Sequence, residues 1–220
     1  QTEAVWRALP RKIREVLAEK DLHDLQEIRL RSGQPLLLKR ENRLFSLGKE
    51  GVFLPAADEK GMRISMADLR ETVSLLSGYS LYAFEEELRQ GYLTIEGGHR
   101  VGFCGKAVLE NGEIRTLRQI NALNIRIARA GKGRGETLLP LLLEKNTLCH
   151  TLIVSPPGCG KTTLLRDLIR CLSERGKTVG VVDERGEIAP LRDGMPQMDV
   201  GPCTDILEGC PKAKGMTLLL

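Results

Sequence analysis

The residue types best suited to chemistry stand together at 155–163, in the order Ser-Pro-Pro-Gly-Cys-Gly-Lys-Thr-Thr. The Gly-Cys-Gly-Lys-Thr portion matches the second half of the phosphate-loop pattern. Glycines let the backbone point several N–H groups at one anion, and a helix that begins at Lys161 adds its positive end. Lys161 can then reach the β- and γ-phosphates of ATP, and the Thr162 hydroxyl can ligate Mg²⁺. The predicted nucleotide-binding residues are Ser155, Pro156, Pro157, Gly158, Cys159, Gly160, Lys161, Thr162 and Thr163.

One position departs from the phosphate-loop pattern, because Ser155 stands where the pattern has its first glycine. A chance Gly-Lys-Thr in a surface loop is the alternative interpretation. Against it, the apolar run 151–155 predicts a buried strand before the loop, and apolar residues at helical spacing from Leu164 to Leu172 predict a helix after it. Because Ser155 lies at the loop entry and not at the phosphate, we expect the departure to be tolerated.

Three carboxylates follow the next apolar run. The run 178–183 predicts a strand of a parallel sheet, because apolar runs without alternation suit a sheet covered on both faces. Asp183, Glu184 and Glu187 come at its carboxyl end, where ligands bind in open α/β sheets. We predict Glu184 and Glu187 as catalytic carboxylates and Asp183 as a metal ligand together with Thr162. A solvated acidic turn is the alternative interpretation.

Cations are also expected near the γ-phosphate, where they neutralise the charge that builds up in the transition state. Lys161 is one such catalytic residue, and arginines from the first part of the chain are further candidates. Arg126 is the first choice and Arg129 the second, because both stand near the expected interdomain linker. The other candidates are Arg100, Arg115 and Arg118.

The chain is expected to divide near residue 130. Residues 1–130 predict a smaller α+β domain with an antiparallel sheet, and 131–220 predict an α/β P-loop ATPase domain that is incomplete at its C-terminus. The glycine-rich segment 130–136 predicts a flexible connection. A second phosphate-binding loop is the alternative there, since Lys132 and Arg134 are basic. Helices are expected over 3–20 with an early interruption at Pro10, from 65 onward, over 81–90 and over 137–145, and hairpins across 32–35 and 111–112.

Composition is that of an ordinary globular protein, with 41% apolar and 28% charged residues. A net charge of +4 is too small, and an aromatic content of 4% too low, to favour nucleic-acid binding. Apolar runs are too short for a membrane span. The six cysteines form no C-x-x-C pair, which favours reduced thiols in a cytosolic setting. Modification of Cys159, inside the phosphate loop, would block the nucleotide site.

Several further stretches, taken together with the phosphate loop, form a combination of motifs that is more specific than any one of them. They are Val-Asp-Glu-Arg-Gly-Glu-Ile at 182–188, Asp-Val-Gly at 199–201, Thr-Asp-Ile-Leu at 204–207 and Gly-Cys-Pro-Lys-Ala-Lys-Gly-Met at 209–216. Together with 155–167 they closely resemble the stage III sporulation protein AA family, and 91–129 fits the same family. That family is similar to the secretion and pilus-motor ATPases of type II and type IV systems.

The resemblance implies a RecA-like core, a small α+β N-terminal domain and homo-hexameric rings. It implies ATP hydrolysis in the cytoplasm of the mother cell, peripheral to the membrane that faces the forespore. Membrane proteins of the channel between the two cells would be the partners. Cys203 departs from the basic residue expected before Thr204. The family's Walker B strand is expected beyond Leu220, so we predict weak nucleotide binding and little hydrolysis for residues 1–220.

Three functions compete at this point. The leading hypothesis is a motor-type ATPase subunit that energises the sporulation channel. The second is a nucleotide-dependent scaffold or assembly module without turnover. The third, a nucleic-acid translocase on the same core, ranks lower because such a protein needs a stronger basic face with aromatic stacking residues.

Overall fold

A computed structural model describes residues 2–18, 22–48, 50–56, 58–78, 85–128, 131–156 and 159–219, except for the Glu86 side chain. The chain forms two compact units, Gln1–Ala128 and Arg129–Leu220, here called unit 1 and unit 2. Unit 1 is α+β and unit 2 is α/β, which is the predicted fold class. None of the helices in the described ranges is both long and apolar enough to cross a membrane. Residues 81–84 of a predicted helix, Arg129, Pro157 and Gly158 lie outside the described residues.

Unit 1 is an antiparallel sheet of seven strands accompanied by helices. In chain order its elements are α1 (Glu3–Arg7), α2 (Arg11–Ala18), β1 (Leu25–Arg31), β2 (Leu37–Arg40), β3 (Arg43–Leu47), β4 (Phe53–Pro55), α3 (Met66–Leu76), α4 (Glu85–Gln90), β5 (Tyr92–Ile95), β6 (His99–Glu110) and β7 (Glu113–Arg126). The strand order across the sheet is β4-β3-β2-β1-β7-β6-β5. The predicted hairpins are confirmed, since β1 pairs with β2 and β6 with β7.

The chain before this sheet forms two short helices, so the predicted helical stretch is interrupted at Pro10 as expected. Pro10 lies between α1 and α2. A proline lacks an N–H and its ring clashes with the preceding turn, so a continuous helix would be broken there. The Pro10 carbonyl accepts the N–H of Ile13 and so opens α2. Val5, Leu9 and Ile13 are still fully buried in the core of unit 1.

The start of α3 is as predicted, because Ser65 forms a capping box with Asp68. The Ser65 hydroxyl accepts the Asp68 N–H at 3.2 Å, and the Asp68 carboxylate accepts the Ser65 N–H at 2.7 Å. This arrangement satisfies two of the N–H groups that a helix start leaves free. A polar pair at the right spacing therefore sets this boundary locally.

Unit 2 alternates helices with short strands. Its elements are α5 (Arg134–Leu142), β8 (Leu143–Glu144), β9 (Thr147–Leu148), α6 (Lys161–Glu174), β10 (Val179–Asp183), β11 (Leu191–Arg192), β12 (Met195–Pro196), β13 (Thr204–Glu208) and α7 (Lys212–Leu219). β10 and β13 pair in parallel, which confirms the pairing predicted for the 178–183 run. One apolar cluster joins α5 to α6 through Leu139 and Leu168, and a second joins α6 to β10 through Ile169 and Val181.

The apolar stretch before the phosphate loop is irregular, and the prediction of a buried strand at 151–155 is wrong. Leu152 and Val154 are 86% and 79% exposed. A buried strand needs a hydrogen-bonded neighbour, since its backbone groups would otherwise be unsatisfied. Among the described residues no strand pairs with this stretch, and apolar composition alone does not bury it.

The glycine-rich segment leads into a helix, and its residues 134–136 form the first turn of α5. The flexibility expected over 130–136 stays a prediction. α5 begins at Arg134 and ends at Leu142, earlier at both ends than the predicted 137–145. Gly135 lies so close to α6 that a Cβ atom there would come within 2.8 Å of the Asp167 backbone. This glycine therefore permits the close crossing of two helices behind the phosphate loop.

Replacing Gly135 with alanine should lower the free energy of unfolding of unit 2 by about 1–3 kcal/mol, because the added Cβ must push two backbones apart. Urea denaturation followed by circular dichroism measures this change. Gly180→Ala is the matched control, since its Cβ would meet only the flexible Leu219 side chain, at 3.3 Å. We expect the control to change the free energy by about 0.5 kcal/mol or less. Equal effects of the two substitutions would contradict the close crossing.

Candidate functional site

The candidate site is built on the first turn of α6. Gly160 is its N-cap, with a φ of 83° in the left-handed region that glycine enters without steric strain. α6 then runs for 14 residues. Its free N–H groups and the positive end of its dipole face the preceding loop. The predicted loop-to-helix junction is therefore present, with the local geometry that binds phosphates at helix N-termini.

Lys161 folds back over its own loop. Its Nζ donates to the carbonyl oxygens of Ser155, at 2.7 Å, and Pro156, at 3.1 Å. The Ser155 Oγ lies 3.3 Å from the same Nζ. The ammonium group is thus held among oxygen atoms at the mouth of the loop. Ser155 does not have a positive φ, so its position does not require glycine, and this explains how serine replaces the first glycine of the pattern.

A cavity of about 460 Å³ lies against this loop. Its size is within the range of small-molecule sites. Cys159, Gly160 and Lys161 line one side, while Arg134 and Thr137 of α5 line another. An apolar wall is formed by Leu138, Ile153 and Leu164. The cavity therefore offers cationic groups for an anion next to apolar surface for a ring system.

Thr162 and Thr163 complete the first turn of α6 and are half-buried. The Thr162 hydroxyl makes no hydrogen bond to another described residue, which leaves it available for a ligand. Thr163 packs toward the glycine-rich segment, since a Cβ on Gly131 would meet its methyl group at 2.5 Å. The two threonines therefore have different surroundings, and their roles in nucleotide binding stay predictions.

Asp183 ends β10 as a buried carboxylate that is already hydrogen bonded. Its Oδ1 accepts the N–H of Glu187 at 3.0 Å, and its Oδ2 accepts the N–H groups of Ile188 and Ala189, each at 2.8 Å. Three donors occupy most of the capacity of a carboxylate. Asp183 therefore shapes residues 184–189, here called the acidic loop. Its role as a metal ligand stays a prediction.

Arg166 is a residue of this site that the sequence reasoning missed. It donates to the carbonyl oxygen of Glu187 at 2.7 Å and to that of Ile188. Burial lowers the pKa of Arg166, and the negative charge of Asp183 acts in the opposite direction. The sequence signal that could have identified Arg166 is its charge within the largely apolar stretch 164–172, one helical turn after Thr162. α6 thus carries both the phosphate loop and the support of the acidic loop.

The two predicted catalytic carboxylates have different surroundings. Glu184 accepts a hydrogen bond from Lys212 of α7 at 2.6 Å. This bond and the Lys212 charge lower the pKa of Glu184. The Glu187 side chain is exposed, but its backbone is held through its N–H by Asp183 and through its carbonyl by Arg166. The backbone of Glu187 is therefore held from two sides, whereas Glu184 is held through its side chain.

Glu208 is a further carboxylate at this sheet edge that the sequence reasoning missed. It lies opposite Asp183 in the parallel register and accepts the N–H of Leu191 at 3.0 Å. Burial raises the pKa of Glu208, the Leu191 N–H opposes that rise, and the Asp183 charge adds to it. Glu208 therefore supports the chain just beyond the acidic loop. Only the pairing of β10 with β13 brings it there.

Behind the phosphate loop, α6 carries a buried ion pair. Arg170 Nη2 lies 2.8 Å from Asp167 Oδ1, and the two side chains are 7% and 2% exposed. Asp167 also accepts the Gly135 N–H at 2.7 Å, and Arg170 binds Glu174 and Glu136. Burial acts against the ionised form of Asp167, but the Gly135 N–H and Arg170 outweigh it, so the pKa of Asp167 is lowered. The network ties α5 to α6.

The other predicted cations have separate places. Arg126 is exposed at the end of β7 in unit 1, and its catalytic role stays a prediction. Lys132 pairs with Asp199 at 2.5 Å. Arg134 lines the cavity beside Lys161. Of the two cations that suggested a second phosphate loop, Lys132 is therefore paired with Asp199, and Arg134 lines the cavity of the first loop.

Within the described ranges, no three His, Cys, Asp or Glu side chains lie close enough together to hold a metal ion. Mg²⁺ is commonly bound by one or two protein oxygens plus substrate phosphates, so it does not require such a cluster. The Thr162 hydroxyl stays the predicted protein ligand, on the half-buried first turn of α6. Residue types here therefore fit Mg²⁺ that arrives with a nucleotide.

The sequence of this chain is similar to that of a family of sporulation proteins. The sequence model of the family described as Sporulation stage III, protein AA matches residues 1–220. Stage III sporulation protein AA of Bacillus subtilis (strain 168) is 41% identical over 221 residues. The match covers 96% of this chain and 67% of that protein.

Solved structures with a similar arrangement share little sequence identity with the chain. The Legionella pneumophila ATPase DotB is 16% identical, with a TM-score of 0.40, over 91% of this chain and 52% of its own. The pilus retraction motor PilT, solved with bound ADP, is 16% identical, with a TM-score of 0.45, over 90% of this chain and 52% of its own. The chain thus spans about half the length of these two proteins.

Asp167→Asn should lower the free energy of unfolding at neutral pH by about 3 kcal/mol, because it removes the buried anion beside Arg170 and leaves only the more exposed Glu174 and Glu136 as its partners. The pKa of Asp167 is lower in the folded state than in the unfolded state. Its contribution is therefore complete above the ordinary pKa of about 4 and disappears as the pH falls through the lower folded value. Chemical denaturation across this range should show the wild-type advantage shrinking below about pH 4.

Asp193→Asn is the control for this measurement, since the Asp193 side chain is 94% exposed and its distance to Arg192 is 3.9 Å. We expect a change of about 0.5 kcal/mol or less at every pH. If the effect of Asp167→Asn does not depend on pH, the ionised carboxylate is not its source.

Proposed function

This chain belongs to the stage III sporulation protein AA family, and we propose that it is the ATP-binding and ATP-hydrolysing subunit of a secretion-type ring motor. The observation that carries the proposal is Lys161 at the start of α6, behind the Gly160 N-cap and beside the 460 Å³ cavity. A helix N-terminus, a lysine and a cavity of this size suit a nucleoside triphosphate.

In this proposal Lys161 and the first turn of α6 bind the phosphates. The Nζ of Lys161 exchanges the carbonyl oxygens of Ser155 and Pro156 for oxygens of the β- and γ-phosphates. The N–H groups that follow Gly160 add donors directed at the same anion. The apolar wall of the cavity receives the base. Binding therefore uses groups that the fold already places together.

Thr162 is the residue proposed to hold Mg²⁺, because its half-buried hydroxyl lies on the same turn as Lys161. When bound with the nucleotide, the ion supplies positive charge that stabilises the phosphate oxygens. Glu187 is proposed to orient the attacking water, since its backbone is held on both sides while its carboxylate stays accessible. Glu184, which pairs with Lys212 of α7, is the second choice for that role. Arg126 stays the proposed cation that neutralises charge on the γ-phosphate.

The wider biological role is also a proposal. Membership of a sporulation family supports action in the mother cell, at the cytoplasmic side of the membrane facing the forespore. We propose homo-hexamers as the active form and membrane proteins of the channel as partners. The similarity of the family's motifs to those of secretion motors supports both.

A nucleotide-dependent scaffold without turnover is the second candidate. One observation favours it. The Asp183 carboxylate accepts hydrogen bonds from three backbone N–H groups, so few of its lone pairs are left to bind a metal. In such a protein ATP would bind at Lys161 and stabilise an assembly. Binding is common to both candidates, whereas turnover distinguishes them.

Lys161→Ala should reduce the affinity for a fluorescent ATP analogue by at least about 100-fold, because it removes the cation that faces two phosphates. Fluorescence titration of the 220-residue chain measures the dissociation constant. Lys214→Ala, which removes an exposed lysine of α7, is the matched control and should bind as the wild type does. Equal affinities of the wild type and Lys161→Ala would contradict the proposed nucleotide site.

Glu187→Gln should lower kcat for ATP hydrolysis by about 100-fold while the KM for ATP changes by less than about three-fold, because only the water-orienting group is lost. The assay uses a version of the chain extended past Leu220. Phosphate release and light scattering with and without ATP report turnover and ring formation together. ATP-dependent assembly without any phosphate release would favour the scaffold.

A further inference from the structure

Arg166 and Thr162 share one face of α6. Residues four apart on an α-helix lie on the same face, about 6 Å apart along the axis. Side chains on a helix also tilt toward its N-terminus. The Arg166 side chain therefore extends along the face that carries the proposed Mg²⁺ ligand. Whatever Arg166 binds is therefore held on the side of α6 that carries the proposed Mg²⁺ ligand.

What Arg166 binds is the backbone of the acidic loop. Its guanidinium donates to two successive carbonyl oxygens, those of Glu187 and Ile188, the first at 2.7 Å. From the other direction Asp183 accepts the N–H groups of the same two residues, at 3.0 and 2.8 Å. The peptide groups around Glu187 are thus fixed from α6 and from β10 at once.

The contact is partly buried, which makes it costly to break. Arg166 is half-buried, Asp183 is 3% exposed, and Ala189 at the end of the acidic loop is fully buried. A guanidinium removed from water needs its hydrogen bonds satisfied, and the two carbonyl oxygens together with the nearby Asp183 charge do this. A lysine in this place would offer no planar fork for two carbonyl oxygens.

We infer that Arg166 is a positioning residue that couples nucleotide binding at the phosphate loop to the acidic loop carrying Glu187. The inference rests on the proposed function. Lys161 and Arg166 belong to one rigid helical segment, so a nucleotide that holds the first turn of α6 also holds the guanidinium that supports Glu187. Arg166 does not contact the nucleotide in this account. It sets where the Glu187 carboxylate lies relative to the γ-phosphate.

Hydrogen exchange measured by mass spectrometry on the 220-residue chain tests the coupling. The amides of residues 187–189 are hydrogen bonded to Asp183 and exchange only when the acidic loop opens. With Mg²⁺ and ATP, we expect exchange to slow in the wild type both at 159–165 and at 184–189. The slowing at 184–189 should be at least about five-fold, the low end of typical coupling between sites.

Arg166→Gln should separate the two effects. ATP should still slow exchange at 159–165, because Lys161 and the helix N-terminus are intact, but it should no longer slow exchange at 184–189. Arg185→Gln is the matched control, since it removes the same charge from an exposed side chain of the acidic loop. It should respond to ATP as the wild type does. If Arg166 only supports the acidic loop and does not couple it to the nucleotide, Arg166→Gln will change exchange at 184–189 by the same factor with and without ATP. That result would contradict the inference.

Arg166→Lys is a second variant that controls for the possibility that Arg166→Gln unfolds unit 2. It keeps the charge and one hydrogen bond, so thermal unfolding should match the wild type more closely, while the ATP response at 184–189 should fall below that of the wild type. An undiminished ATP response at 184–189 in both variants would overturn the inference. So would a wild type in which ATP slows exchange at 159–165 alone, and that result would leave nucleotide binding intact. If ATP slows neither segment, the proposed nucleotide site fails as well.

Kinetics on the version extended past Leu220 give an independent readout. Arg166→Gln should lower kcat by at least about 10-fold with KM within about two-fold, as expected for a misplaced catalytic group. A parallel rise in KM with unchanged kcat would instead show that Arg166 serves nucleotide binding, and would overturn the positioning role.

Discussion

Unit 2 depends on one constraint, which is that a single helix must bury charged side chains without leaving any of them unpaired. Ions taken out of water are strongly unfavourable unless partners replace the lost hydration. α6 meets this constraint at two points. Arg170 and Asp167 neutralise each other on one side, and Arg166 is satisfied by two carbonyl oxygens near Asp183 on another. Each pairing also fixes a neighbouring segment.

These pairings give α6 a set of distinct faces with separate tasks. Its first turn faces the phosphate loop, the Asp167 side holds the start of α5, and the Arg166 side holds the acidic loop. Apolar residues between them form the two small clusters of unit 2. The cavity beside Lys161 and the acidic loop are therefore both tied to the same rigid element.

Local signals predicted those parts of the fold that depend on neighbouring residues in the chain. The capping box at Ser65 and the hairpin turns are examples, since their hydrogen bonds are made within a few residues. The strand predicted at 151–155 failed for the opposite reason. A strand exists only if another strand pairs with it, and apolar composition carries no information about the partner. Pro10 shows that one residue can also override a helical pattern.

In the candidate site, the residue types and their spacing were enough to predict a loop that leads into a helix at Lys161, with glycine before it, and a run of carboxylates after β10. The packed fold was needed to find that Asp183 accepts backbone N–H groups, that Arg166 supports Glu187, and that Glu208 lies beside Asp183. Such partners are distant in sequence, so spacing along the chain does not reveal them. Their hydrogen bonds form only after α6, β10 and β13 have packed.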